Sequence, residues 1–203
     1  MKVNKEIYYH ANSGKEVKVG DTLVFNTNTH NKMYDEVYNN EYKLDNIDAN
    51  ELLINKKRND DTNLSVDEFL LIFKTINNDA FVLRELALEE VRKNKYPDYP
   101  SRLNCLYVTK DKEDAINWSN ILKRNKKECK QILTLELTGE LFVGDGSLMK
   151  RLNTSYQKQL EMAEEYWNSK PVSNPEYLFY GEAKVVDIEN TELWYVLYPQ
   201  YEV

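Results

Sequence analysis

The chain has 203 residues, with 27 Lys and Arg against 34 Asp and Glu, a formal charge of −7 and a pI near 5.1. That length fits one domain or two small ones, and 41% hydrophobic with 12% aromatic residues is too much apolar material for a disordered chain. The acid excess gives no general pull toward nucleic acid or anionic lipid, and no apolar run reaches the roughly 18 residues of a membrane span.

The first residues, Met1 to His10, carry no apolar segment of the secretory kind. Two cysteines without a CxxC spacing, Cys105 and Cys129, read as reduced thiols. Both observations point to a cytoplasmic protein without a membrane partner.

In chain order, Ile7 to His10 reads as a short strand and Thr22 to Phe25 as a second, after a Gly20-Asp21 turn. Residues 26–61 are polar without a period and read as a long surface insertion with one short helix. Ser65-Val66-Asp67-Glu68 is a capping-box pattern opening a helix with Phe69, Leu70, Phe73 and Ile76. A second helix is predicted from Asn78-Asp79 to Lys95, stopped by Pro97 and Pro100.

Leu103 to Thr109 reads as a strand, and Lys110 to Leu122 as a helix with Ala115, Trp118, Ile121 and Leu122 on one face. Ile132 to Leu137 alternates as a strand, and Leu141 to Val143 follows as another after Gly139. Thr154 to Ser169 is helical; Tyr177 to Ile188 and Leu193 to Tyr198 read as two strands about Asn190. Strands and helices mix without strict alternation, which predicts an α+β fold. We read residues 1–203 as a single domain with a helical and loop insertion at about 26–95.

Phosphate-cradling GxxxxGK[ST] and GxGxxG loops are absent, as are HExxH and GxSxG. With only His10 and His30, a histidine-rich metal centre is excluded. No metal is expected; a Ser-His-Asp or Cys-His device would depend on one of the two histidines, and any chemistry must use few histidines, or carboxylates and aromatics.

Three segments then stand out by order. A strand ends in His10; a strand centred on Tyr107 runs into a helix carrying Trp118; a late strand opens with Glu176-Tyr177-Leu178-Phe179-Tyr180. This arrangement resembles the ADP-ribosyltransferase superfamily, in the His-Tyr-Glu branch of poly(ADP-ribose) polymerases and diphtheria-toxin-like enzymes, and an uncharacterised bacterial group within it. The resemblance implies a split β-sandwich of short antiparallel strands with flanking helices. It implies NAD as substrate, with ADP-ribose transferred to a protein, a nucleic acid or a small molecule, or the nicotinamide bond simply cleaved.

By the same resemblance, His10 would hold the adenosine ribose and Tyr107 would face the nicotinamide. Trp118, eleven residues after Tyr107, would be the second aromatic wall. Glu176 would be the catalytic carboxylate. Ala11 stands where the family usually has the Gly whose backbone grips the carboxamide. Arg102, just before the Tyr107 strand, is a candidate for the pyrophosphate, since a guanidinium binds such anions bidentately. Taken singly, each of these side chains also fits an ordinary structural role. Ala11 in place of Gly leaves open an alternative, a non-catalytic nucleotide- or partner-binding module of the same fold.

Overall fold

The computed structural model describes residues 1–170 and 174–191. The predicted strand Leu193 to Tyr198 lies outside the described residues. Elements follow in the order β1 (Lys2–Asn12), β2 (Thr22–Phe25), α1 (Lys32–Tyr38), α2 (Ala49–Arg58), α3 (Val66–Lys95), β3 (Leu106–Val108), α4 (Lys112–Arg124), β4 (Gln131–Asp145), α5 (Tyr156–Asn168) and β5 (Pro175–Asn190). The fold is α+β. The chain divides into two compact units, residues 1–31, 98–146 and 169–203 in one and 32–97 with 147–168 in the other.

The first unit is one five-stranded antiparallel sheet in the order β1-β4-β5-β2, with β3 also on β5. Alternation in β4 explains it: Leu133, Leu135 and Leu137 are fully buried, while Thr134 and Glu136 between them and Thr138 after them are not. The same face collects Tyr8 of β1, Leu106 and Val108 of β3, and Phe179, Ala183 and Val185 of β5 into one core. Two predicted strands, Ile132 to Leu137 and Leu141 to Val143, are a single β4. Gly139 bends that strand rather than ending it.

Gly139 lies opposite Gly181, with φ of +157° and +138°. A Cβ on Gly139 would stand 2.8 Å from Gly181 Cα and run into the Tyr180 carbonyl oxygen. The two long paired strands come to contact distance here, and only glycine allows it. The bend lets the sheet turn back on itself. The far edge of β1 then meets the chain just after β3, through Tyr9 N–H to Thr109 O at 2.9 Å and Thr109 N–H to Tyr9 O at 2.8 Å. Strands β1, β4, β5 and β3 thus form a closed circuit of hydrogen bonds.

β1 is longer than the predicted Ile7 to His10. Lys5 takes a left-handed φ of 55° at a register shift between Asn4 and Glu6, so a bulge carries the polar start of the chain into the sheet. No disulfide joins Cys105 and Cys129; both thiols are buried.

The second unit is helical, and two expectations are corrected there. Residues 26–61 contain α1 and α2 rather than one short helix. α2 is capped by Asp48, whose carboxylate accepts from Glu51 N–H at 2.8 Å, an N-cap signal within the polar stretch. Before it, Leu44 and Ile47 bridge across Asp45 and Asn46, both left-handed, as in a tight type I′ turn.

The predicted break at Asn78-Asp79 does not occur either. α3 runs unbroken for 30 residues from a complete capping box, Ser65 N–H to Glu68 Oε2 at 2.7 Å and Glu68 N–H to Ser65 Oγ at 3.2 Å. Asn and Asp are poor helix formers but neither lacks an N–H, so packing overrides them. Leu88 and Trp167 are buried together, the Trp167 indole donating to Leu88 O at 2.8 Å.

Gly139→Ala is expected to cost about 2–4 kcal/mol, from a strained φ plus a backbone clash. Urea unfolding followed by tryptophan fluorescence measures it. A loss under about 0.5 kcal/mol would show that the crossing has room to spare.

Candidate functional site

The site is built around the turn before β3. Ser101 O accepts from Asn104 N–H at 3.1 Å and Cys105 N–H at 3.0 Å, which reverses the chain. The turn is anchored from outside. Asn31 Nδ2 donates to Arg102 O at 2.8 Å and to Cys105 O at 2.9 Å, and Asn31 N–H to Leu103 O at 3.1 Å. The Tyr107 hydroxyl donates to Arg102 O at 3.1 Å, and the Tyr180 hydroxyl accepts from Ser101 N–H at 3.0 Å.

The turn presents Arg102, whose side chain is only 4% exposed. Its guanidinium is ion-paired to Glu176, the second residue of β5, and lies 5.7 Å from the centre of the Tyr107 ring. Removing a guanidinium from water is costly unless a charge partner and hydrogen bonds replace the water. The Glu176 carboxylate supplies the charge, and the aromatic face adds a cation–π contact.

His10 joins from β1. Its Nδ1 lies 2.7 Å from Tyr107 O. A carbonyl can only accept, so Nδ1 carries the proton and Nε2 is left as an acceptor. Burial is the main influence on His10 and pushes its pKa below 6.5; the hydrogen bond to Tyr107 opposes this more weakly. Beside it, Tyr8 and Tyr177 meet edge to face at 5.9 Å, and Lys110 Nζ lies 4.4 Å from the Tyr8 ring centre.

Four predicted residues, His10, Arg102, Tyr107 and Glu176, are therefore linked by direct contacts although they come from three distant segments. Ala11 follows His10 in β1, paired with Ile132, and its φ is not positive, so an L-residue fits there without strain. Trp118 is not brought into the linked set. The buried positions of α4 are Ala115 and Ser119, and Trp118 is 50% exposed. Of the α4 face read from the sequence, Ala115 is buried and Leu122 half-buried, while Trp118 and Ile121 are exposed.

The structure adds Asn31, Ser101 and Tyr180. Tyr180 closes the Glu176-to-Tyr180 segment and could have been read from it. Asn31 lies 71 residues from Arg102, and nothing local in the sequence marks it. Among the described residues no cluster of three His, Cys, Asp or Glu could hold a metal ion, and no helix is long and apolar enough to cross a membrane.

A family model matches residues 8–191, from the Tyr8 strand to the end of β5. The chain belongs to the DUF2441 family, described as proteins of unknown function. The match takes in every residue of the linked set, and both units, so the site is part of the DUF2441 domain itself. No curated protein matches this DUF2441 chain.

The His10 geometry has a pH consequence. An unfolded histidine binds a proton near pH 6.5, and the folded one only at lower pH. Below about 6.5 the unfolded state holds more protons, so stability falls with pH and is fully present above that value. In His10→Gln the fall through this window is expected to be shallower. Denaturant melts from pH 8 to 5 check it; an unchanged slope in the variant would remove His10 as the cause.

Proposed function

We propose that the sheet unit of this protein binds NAD or an NAD-like dinucleotide and acts as an ADP-ribosyltransferase or NAD glycohydrolase. The linked set of His10, Arg102, Tyr107 and Glu176 carries this reading. The three segments that resemble the His-Tyr-Glu branch lie far apart in sequence and meet around one turn. A sheet folded on itself at Gly139 and Gly181 also suits a split β-sandwich of the ADP-ribosyltransferase kind.

The chemistry follows from the groups. The Tyr107 ring offers a flat wall to nicotinamide, and His10 Nε2 accepts a ribose hydroxyl. The Arg102 guanidinium holds the Glu176 carboxylate in place and adds cationic charge for the pyrophosphate. Cleavage breaks the bond between ribose C1′ and nicotinamide nitrogen. The bonding pair leaves with nicotinamide and neutralises its pyridinium, while positive charge grows on the ribose. The Glu176 carboxylate stabilises that charge as it forms. The acceptor, or water, then bonds to C1′ and gives up its proton.

The ion pair favours a second reading as well. A carboxylate already engaged by a buried guanidinium suits a module that binds the nucleotide without turning it over.

Incubation with labelled NAD separates the readings. The wild type is expected to release nicotinamide and to melt at higher temperature with NAD; Glu176→Gln is expected to keep the melting shift and lose about 100-fold or more in rate. Binding without nicotinamide release, unchanged in Glu176→Gln, would select the non-catalytic module. Neither product nor melting shift from the wild type would end the NAD proposal.

A further inference from the structure

The amino-terminal half of α3 has two apolar faces. One packs inward through Leu71 and Phe81, 6% and 4% exposed. The other stays open: Val66 is 74% exposed, Phe69 and Phe73 each 55%, and Ile76 50%. With Ala80 and Leu83 these residues follow each other at spacings of three and four, the a/d pattern of a helix seam, and none of the six is charged. Six neutral residues along one stripe, four of them exposed and Ala80 and Leu83 half-buried, are not how a solvent-facing helix is usually written.

The stripe is divided into a ridge and a groove. Phe69 and Phe73 stack with ring centres 6.2 Å apart and make the ridge. One turn further on, Ile76, Ala80 and Leu83 with Leu152 line a groove of about 160 Å³, rimmed by Asp79 and Asn153. An apolar space of about 150 Å³ accommodates a benzene ring. The knob and the seat that fits it lie on one face of one helix.

We propose that this face of α3 is the interface of a homodimer, taking a second copy of the chain in antiparallel, two-fold contact. With the axis midway between Phe73 and Ile76, Phe73 of one copy lies against Ile76 of the other, Phe69 against Ala80, and Val66 against Leu83. Every layer pairs one side of the stripe with the other, and the largest residue meets the smallest. Such self-complementarity is what a two-fold interface requires, because each residue must fit the partner of its own copy. An unrelated partner would not need ridge and groove on the same face.

The area is sufficient. A fully covered aromatic side chain accounts for about 150–250 Å² and an aliphatic one for less, so the half-open stripe offers on the order of 500 Å² per copy. Two copies bury on the order of 1,000 Å², the lower bound for a specific interface and suited to micromolar affinity. The dimer is independent of the NAD reading, since it uses no residue of that site.

Sedimentation equilibrium on the full chain between about 1 and 100 μM tests it. The wild type is expected to pass from one chain mass to two across this range. Phe69→Glu with Phe73→Glu is expected to stay at one chain mass with unchanged far-UV circular dichroism. Ala80→Glu, a single change at the groove floor, is expected to do the same and serves if the double variant loses helix. A wild type that stays at one chain mass throughout, or a dimer that survives in the folded variants, overturns the proposal.

Discussion

The close crossing of β4 and β5 at Gly139 and Gly181 is the constraint on which the sheet unit depends. A Cβ on either residue would collide with the backbone of the other strand, so the close approach here requires glycine on both sides. The close approach sits where the ladder passes from the part of β4 paired with β1 to the part of β5 paired with β3. Without it, β1 and β3 would lie on opposite edges, with β4 and β5 between them. With it, Tyr9 and Thr109 exchange two backbone hydrogen bonds and the edges meet. His10 and Tyr107 touch only because of that meeting.

The ion pair of Arg102 and Glu176 sits within this frame and plays a different part. A guanidinium this deeply buried gains little net stability from its partner, since the cost of leaving water is repaid only in part. Its effect is orientation. The backbone of the turn is held by Asn31 and by the hydroxyls of Tyr107 and Tyr180, so the charge is fixed on the sheet rather than carried by a mobile loop. A carboxylate held by such a cation is pre-placed for an electrostatic task, which costs no reorganisation when charge develops nearby.

Much of this was legible in the sequence where the signal is local. The alternation through Leu133, Leu135 and Leu137 gave β4, and Ser65 with Glu68 gave the start of α3. His10, Tyr107 and Glu176 could be picked out by their order along the chain, and Arg102 by its place just before the Tyr107 strand. What failed was non-local or competed with packing. Gly139 reads as a strand end because the partner glycine that makes it a crossing lies 42 positions on. Asn78-Asp79 reads as a helix boundary because intrinsic propensity is all a sequence offers there, and burial of Leu71 and Phe81 on either side outweighs it. Trp118 was singled out by its distance of eleven residues from Tyr107, and such a count does not say which way a helix turns its side chain. Asn31 had no signal, since its value lies in two carbonyls more than seventy residues away.

One sheet gathers His10, Tyr107, Arg102 and Glu176 around one turn, and the proposed dinucleotide site rests on that gathering. A crystal structure of the chain with NAD tests it most directly. The expected result is nicotinamide against the Tyr107 ring, its ribose within hydrogen-bond distance of Glu176, and the adenosine ribose on His10 Nε2. NAD bound elsewhere, or crystals in which the four residues stand together and saturating NAD leaves them untouched, would contradict it.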